Sequence, residues 1–354
     1  MRRITVLAAA GAVAVVGALV SFSLGGARTV QQQPIATTSP AKIAEPEVVT
    51  TGTVGNKPRS GLPLPAAPPP ILPSDMTPEI FARPGGADPV GPPGPSCRNP
   101  SALGVSRTVE IDTTGGPGFG FENFKQHDFL RDKEVVLTFD DGPWPTTSAV
   151  LKALADECVK ATFFAIGKHA TYYPEILRSV AQAGHSVGSH TWSHQDLSKK
   201  NQDDAKGEIE KGISAVQWAL GAQAKEVAFF RFPALRHPGE MVTYLGERNV
   251  AIFSTDMDSF DFKLRKPELI IKAIMTKLQK RGKGIVLMHD FQTGTSHAVP
   301  QLLTELKAGG YKIVHLKSRA PVTTLPQYDE ELQRDQKLPT VSQRPTSSVV
   351  RDVQ

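Results

Sequence analysis

The chain has 354 residues, of which 40% are hydrophobic, so it can form a sizeable buried core. Lysine and arginine outnumber aspartate and glutamate by 40 to 35, and a net charge of +5 permits attraction to an acidic cell surface. The sequence has neither a zinc-finger spacing nor a dense basic stripe with interleaved aromatic residues, so we predict no nucleic-acid partner.

The first 27 residues combine a basic start with a long uncharged stretch. Arg2 and Arg3 are followed by no charged residue until Arg28, which is typical of an export signal. The uncharged stretch is also long enough to span a bilayer, which takes about 20 residues. We therefore predict that residues 1–27 are a cleaved signal peptide or an N-terminal membrane anchor. In either case the rest of the chain is expected to be extracytoplasmic.

Two further segments are predicted to lie outside the folded domain. Fourteen of the 29 prolines fall between Pro58 and Pro100, and proline fits neither a helix interior nor a central strand. We interpret residues 28–95 as a proline-rich linker. The polar composition of residues 321–354 predicts a disordered tail.

Cys97 and Cys158 are the two cysteines of the chain. In an exported protein two cysteines can form a disulfide, and the alternative is two unrelated thiols. We predict that they pair after export and so connect the end of the linker to the first crossover helix.

Between the linker and the tail, short apolar runs alternate with helical patterns. Buried parallel strands are typically short and apolar, as these runs are. The alternation predicts an α/β fold of about seven parallel strands in one domain over residues 96–320, a closed or nearly closed (β/α) barrel, with an open doubly wound sheet as the alternative. The predicted strands are residues 134–140, 160–167, 185–188, 227–232, 251–256, 284–290 and 311–316.

Unusual polar residues follow the ends of these strands, where parallel α/β folds place their sites. They are Asp140 and Asp141, His190 and His194, Arg231, then Asp256, Asp258 and Asp261, and finally His289 and Asp290. His190 and His194 are four residues apart, so on a helical turn they would face one direction and could bind one metal ion. Two histidines and one carboxylate make a three-ligand site of the catalytic type.

The motifs TFDDGP, HTWSH, RFPA, DSFD and LMH stand in the order found in the polysaccharide deacetylase family, also called the NodB homology domain or carbohydrate esterase family 4. The chain resembles this family over residues 107–320. The resemblance implies a deformed (β/α) barrel and a metal-dependent hydrolase that removes N-acetyl, and sometimes O-acetyl, groups from an acetylated glycan.

The resemblance also implies roles for the acid pair and the histidines. Asp141 would bind the metal with His190 and His194, and Asp140 would be the general base that deprotonates the attacking water. His289 would be the general acid that protonates the departing amine. The ligand types favour Zn²⁺, with Co²⁺, Mn²⁺ and Ni²⁺ left open.

The remaining motif residues would support these groups. Asp261 would orient His289, with Asp258 as the less favoured alternative, and Arg231 would pair with the base. Leu287 would line the pocket for the acetyl methyl group, and the backbone N–H of Ala234 would stabilise the oxyanion. The chain departs from the family at two positions that border the sugar groove. Ala234 stands where tyrosine is usual, and Phe262 stands where tryptophan is usual.

Two other classes of function remain as alternatives. A surface-tethered glycan-binding module without activity would be expected to lack the base or the acid, yet Asp140 and His289 are both present. A non-haem iron oxygenase shares the two-histidine, one-carboxylate content, but it would be expected on a β-rich pattern. The sequence leaves the glycan open among chitin oligosaccharide, peptidoglycan, exopolysaccharide and acetylated xylan, and it implies no protein partner.

Overall fold

Parallel strands alternate with helices in the computed structural model, which describes Cys97 and residues 99–125, 127–223 and 227–334. These residues all belong to one structural unit, Gly86–Gln354. The predicted signal or anchor and the whole of the predicted linker lie outside the described residues. Within the described part of the chain, no helix has both the length and the apolar character needed to cross a membrane.

Ten strands build the sheet in the described part of the chain. They are β1 (Arg107–Ile111), β2 (Gly118–Phe119), β3 (Glu134–Asp140), β4 (Thr162–Ala165), β5 (Ser186–Ser189), β6 (Phe229–Phe230), β7 (Ala251–Phe253), β8 (Met257–Asp258), β9 (Gly284–His289) and β10 (Lys312–Ser318).

Among the same described residues, eight α-helices accompany these strands. They are α1 (Thr147–Asp156), α2 (Gly167–Tyr172), α3 (Pro174–Gln182), α4 (Gln202–Leu220), α5 (Gly239–Glu247), α6 (Pro267–Arg281), α7 (Thr293–Ala308) and α8 (Pro326–Arg334).

All strand pairs among the described residues are parallel. The order is β1-β10-β3-β4-β5-β6-β7-β2, while β9 pairs with both β3 and β8. The predicted α/β fold on a parallel sheet is therefore confirmed. The seven predicted strands correspond to β3, β4, β5, β6, β7, β9 and β10, and β1, β2 and β8 were not predicted. The described strands do not pair into a closed ring. Residues 254–256 lie between β7 and β8 in the chain, and these two strands do not pair with each other.

The two faces of β3 contact different parts of the core, as the alternation of side chains along a strand requires. Leu137 and Phe139 pack in the cluster that includes Leu154 of α1 and Leu302 of α7. Val136 packs on the opposite face, in the cluster that includes phenylalanines of β4, β6 and β7. Asp140 stands on the same face as Val136, so the first acid of the pair points away from the helices.

Helix α6 shows why its ends could be predicted. It begins at Pro267, whose missing N–H is tolerated in the first turn, and Gly282 follows its end with φ +84°. That left-handed backbone is readily available to glycine, and the Gly282 N–H donates to the Leu278 carbonyl.

Cys97 and Cys158 form a disulfide whose Cα atoms are 5.7 Å apart. This confirms the predicted pairing. Cys158 lies just beyond α1, so the bond connects the residue that follows the linker to the first crossover.

The prediction of a disordered tail is wrong for its first part. Helix α8 packs on α4 and buries Leu332, which is 2% exposed. Glu331 of α8 forms an ion pair with Lys211 of α4, with 2.6 Å between Oε1 and Nζ. These tertiary contacts stabilise a helix that the polar composition alone did not indicate. The rest of the predicted tail, residues 335–354, lies outside the described residues.

Candidate active site

The first carboxylate of the acid pair is held by a buried arginine. Asp140 ends β3, and its Oδ1 lies 2.8 Å from Nη1 of Arg231. Arg231 directly follows β6 and is fully buried. Its Nη1 also donates to the hydroxyl of Thr138 at 2.7 Å. A buried charge needs such partners to offset its loss of hydration.

Backbone carbonyls complete the environment of Arg231. Its Nε donates to the carbonyl of Phe253 and its Nη2 to that of Ser254. The guanidinium also lies 4.3 Å from the ring centre of Phe164. These contacts leave the guanidinium little freedom, so it fixes the orientation of the Asp140 carboxylate.

The second carboxylate turns toward two histidines. Asp141 has φ +74°, an uncommon left-handed conformation for a residue other than glycine. Its Oδ1 lies 3.5 Å from Nε2 of His190 and 3.4 Å from Nε2 of His194. Asp140 Oδ2 also approaches His190 Nε2, at 3.8 Å. The backbone turn thus lets adjacent residues face one site, although a regular strand would point them to opposite faces.

The electrostatics of Asp141, His190 and His194 fit a metal centre. One ligand atom from each residue falls within a mutual distance of 4.8 Å. Asp141 Oδ1 is buried and has no hydrogen-bond partner among the described residues. Burial opposes the charged form of Asp141, but His194, His289 and His190 outweigh it and lower its pKa. An ionised oxygen without a hydrogen-bond donor is suited to coordinate a cation.

The histidine motif is a bent loop rather than a helical turn. Thr191 and His194 have φ +66° and +57°. The Thr191 hydroxyl accepts the His194 N–H, and Glu208 accepts both the N–H and the hydroxyl of Ser193. These side-chain bonds replace helical ones and still bring the imidazole centres to 4.9 Å.

His190 is a neutral imidazole with one ring nitrogen directed at the site. Its Nδ1 lies 2.7 Å from the carbonyl of Arg231, and because a carbonyl can only accept, Nδ1 carries the proton. Nε2 is then free to coordinate a cation. Burial lowers the pKa of His190 to about 4 despite the opposing effects of Asp140 and Asp141.

His289 and Asp261 form a second buried pair beside this centre. Asp261 is 1% exposed and follows β8, while His289 ends β9. Nε2 of His289 points toward the acid pair and lies 3.9 Å from Oδ2 of Asp141. The structure therefore brings the predicted acid and its orienting carboxylate to the predicted metal ligands.

Leu287 and Ala234 occupy different positions around the site. Leu287 is buried in β9 and shares a face with His289, because two residues separate them on a strand. Ala234 is exposed in the turn after Arg231 and has φ +51°. The ring of Phe262 meets the His289 imidazole edge-on, with centres 5.9 Å apart.

Sequence reasoning missed His169, and it placed Asp290 at a strand end without giving it a role. The Nδ1–H of His169 donates to the Asp141 carbonyl, and burial lowers the pKa of His169 to about 4. Asp290 is 1% exposed and contacts the turn that carries both acids. Position along a strand indicates Asp290, but nothing in the local sequence indicates His169, which reaches the turn from α2.

Comparison with known proteins agrees with this geometry. Residues 128–251 match a family model described as polysaccharide deacetylase. Chitin deacetylase 1 of Saccharomyces cerevisiae is 35% identical over 164 residues, covering 44% of this chain and 52% of that protein. Chitooligosaccharide deacetylase of Sinorhizobium fredii is 31% identical over 175 residues, covering 47% of this chain and 80% of that protein.

A solved structure shows the same fold. A peptidoglycan deacetylase of Bdellovibrio bacteriovorus superposes with a TM-score of 0.56 at 33% identity, covering 63% of this chain and 62% of that one. The chain spans about half the length of the yeast protein. The motif order, the parallel α/β fold and these relatives together identify the chain as a member of the polysaccharide deacetylase family.

Proposed function

We propose that this chain is a metal-dependent hydrolase that removes N-acetyl groups from an extracytoplasmic polysaccharide or oligosaccharide. Removal of O-acetyl groups would use the same chemistry. The observation that carries the proposal is the meeting of three units: Asp141 with two histidines, Asp140 with Arg231, and His289 with Asp261. The named relatives act on chitin, chitooligosaccharide and peptidoglycan, which supports a glycan substrate.

Asp141, His190 and His194 would hold one divalent cation, for which Zn²⁺ suits the ligand types best. When bound, the cation polarises the acetyl carbonyl and lowers the pKa of water. The protein must then supply a base, an acid and a place for the oxyanion. Each of these tasks can be given to a residue whose position supports it.

Asp140 would take the proton of the attacking water, because its second oxygen faces the metal ligands while Arg231 holds the first. The backbone N–H of Ala234 would stabilise the oxyanion that forms on the acetyl group. Leu287 would contact the acetyl methyl.

His289 would protonate the departing amine through Nε2 as the carbon–nitrogen bond breaks. Asp261 binds the opposite ring nitrogen and so directs Nε2 into the site. A glycan-binding module would need neither residue. The presence of both the base and the acid at one metal-ligand cluster therefore favours the enzyme.

Action outside the cytoplasm is supported by the disulfide and by the N-terminal pattern. Disulfides persist in oxidising compartments and are rare in the cytosol, and Cys97 is bonded to Cys158. The basic start followed by an uncharged stretch indicates export, with a membrane tether if the segment is retained. The glycan would therefore be part of the cell envelope or its surroundings.

One experiment tests the function and the division of labour together. Acetate release would be measured on chitin oligosaccharides, peptidoglycan, exopolysaccharide and acetylated xylan, with metal content determined in the same samples. Asp141→Asn and His194→Ala should lose metal and activity together. Asp140→Asn should keep its metal and lose turnover.

Exposed residues of the same types provide matched controls. Asp203→Asn and His297→Ala change an exposed aspartate and an exposed histidine and should keep both metal and activity. If the native, metal-loaded protein releases acetate from none of the four glycans, the proposal is wrong. If both Asp140→Asn and Asp141→Asn keep full metal and full activity, the assigned roles are wrong.

A further inference from the structure

Asp290 makes three polar contacts with the segment that carries the acid pair. Its backbone N–H donates to the carbonyl of Asp140 at 3.3 Å. Its own carbonyl accepts the hydroxyl of Thr146 at 2.7 Å, and its Oδ2 accepts the hydroxyl of Thr147 at 2.6 Å. Asp290 directly follows His289, so it connects the strand of the predicted acid to the turn of the predicted base.

Gly142 shows how closely this carboxyl group packs against the turn. A Cβ atom at Gly142 would lie 2.2 Å from Oδ2 and 2.5 Å from Oδ1 of Asp290, and the third nearest atom is Cγ of the same residue. Real Cβ atoms do not approach other atoms this closely. Gly142 does not have a positive φ, unlike several other glycines of the described residues. The position therefore requires glycine for its small size rather than for its backbone conformation.

The carboxyl group has few partners for a buried acid. Its Oδ1 has no hydrogen-bond partner among the described residues, and the side chain is 1% exposed. The carboxyl group accepts from Thr147 and packs against Gly142, and an amide of the same shape could do both.

We propose that Asp290 is a positioning residue whose side chain clamps the Asp140–Asp141–Gly142 turn. By fixing this turn, it sets where the base stands relative to the metal ligand. The inference rests on the proposed function for its catalytic consequence. Asp290 touches no reacting atom, so its effect passes through Asp140 and Asp141.

The test compares Asp290→Ala with Asp290→Asn in protein loaded with zinc. We expect the alanine variant to lower kcat about 10- to 100-fold with little change in KM, since small displacements of reacting groups cost this much. Its zinc affinity should fall about 10-fold, as is usual when the support of a ligand is removed. The asparagine variant should recover most of both quantities, because it keeps the shape and the bond to Thr147.

Ser214→Ala is the matched control. Ser214 is also 1% exposed and carries a hydroxyl without a partner among the described residues, but it lies on α4. It should leave kcat and zinc affinity unchanged. If Asp290→Asn is as impaired as Asp290→Ala, the acid acts through its charge and the clamp is wrong. If Asp290→Ala equals the native protein in kcat and zinc affinity, the clamp is also wrong.

If Asp290→Ala is too unstable for kinetics, Gly142→Ala tests the same contact from the other side, and a double-mutant cycle measures the coupling where both variants fold. The added methyl group would collide with the Asp290 carboxyl group, so Gly142→Ala alone should weaken zinc binding and lower the thermal midpoint. In the Asp290→Ala background the same change should cost less, because the colliding atoms are gone. Additive losses in both quantities would contradict the contact.

The cycle also separates this inference from the proposed function, since zinc affinity and thermal midpoint need no substrate. Coupling between Gly142 and Asp290 in a protein that deacetylates no glycan would support the clamp and reject the function. An active enzyme without coupling would support the function and reject the clamp.

Discussion

Nδ1 of His289 lies 2.6 Å from Oδ1 of Asp261, and the other oxygen of this carboxylate accepts the backbone N–H of His289 at 2.7 Å. The hydroxyl of Thr295 donates to that second oxygen as well. The backbone N–H of His289 and the hydroxyl of Thr295 therefore hold this carboxylate in place, in addition to its bond with the imidazole. One residue thus controls both the orientation and the charge of the proposed acid.

This pair predicts the alkaline limb of the pH profile. Burial alone would lower the pKa of His289, but Asp261, Asp141 and Asp140 outweigh it and raise the pKa to about 10. Because a general acid acts in its protonated form, we expect kcat to fall as pH rises toward 10. Asp261→Asn should move this fall to a lower pH. The profile of kcat against pH in both forms is the measurement.

Asp258→Asn is the control, because Asp258 accepts from the Phe260 backbone rather than from His289. An alkaline limb that stays in place in Asp261→Asn would contradict the assignment.

The same pair should make the free energy of unfolding fall at alkaline pH, since the folded pKa of His289 lies above its ordinary value of 6.5. The contribution of the pair to the free energy of unfolding is full below pH 6.5 and is lost as pH rises through about 10.

Removal of Arg231 should destabilise the fold strongly. Arg231→Met leaves the Asp140 carboxylate buried without its partner, which typically costs about 3–5 kcal/mol. Arg236→Met is the control, because Arg236 is exposed and pairs with Asp196 at 3.3 Å, and it should change stability by at most about 1 kcal/mol. Urea unfolding measures both. Equal losses in the free energy of unfolding would show that the buried pair contributes no more to stability than the exposed pair.

Ala234→Tyr should act on sugar binding more than on chemistry. The oxyanion donor proposed at this position is the backbone N–H, which tyrosine also carries, whereas alanine lacks an aromatic ring to stack on sugars. We expect KM or the chain-length preference to change on acetylated oligosaccharides, with kcat nearly constant.

Loss of an oxyanion donor would instead lower kcat about 100- to 1000-fold. If the native, metal-loaded protein is inactive on every glycan and Ala234→Tyr restores activity, alanine here marks a disabled site.

The disulfide should contribute to stability through the unfolded chain. Cys97 and Cys158 are 61 residues apart, and closing a loop of this length is worth about 4 kcal/mol in the chain-entropy model. Cys97→Ser should therefore lower the free energy of unfolding by about this amount while leaving acetate release intact at low temperature. Native protein treated with a reductant should behave like the variant. Unchanged stability in both would contradict the prediction.

The sequence indicates the acid pair, the histidine pair and His289 because each is part of a local motif at a strand end. It does not indicate how Asp140 and Asp141 face one site, which depends on the left-handed backbone of Asp141. His169 was missed because its bond to Asp141 joins two elements through space. Helix α8 was missed because its stability comes from packing on α4 rather than from its own composition.

The contacts of α8 have a consequence for proteolytic processing. The segment before this helix is bound to the domain by Arg248, which donates to the Thr323 carbonyl, and by Gln217, which donates to that of Val322. Cleavage beyond Arg334 would leave these bonds and the buried Leu332 in place. Cleavage near residue 320 would strip a helix from the surface of α4 and expose its apolar side. Trimming to about residue 334 would therefore keep the packing of α8 on α4, and further trimming would remove it.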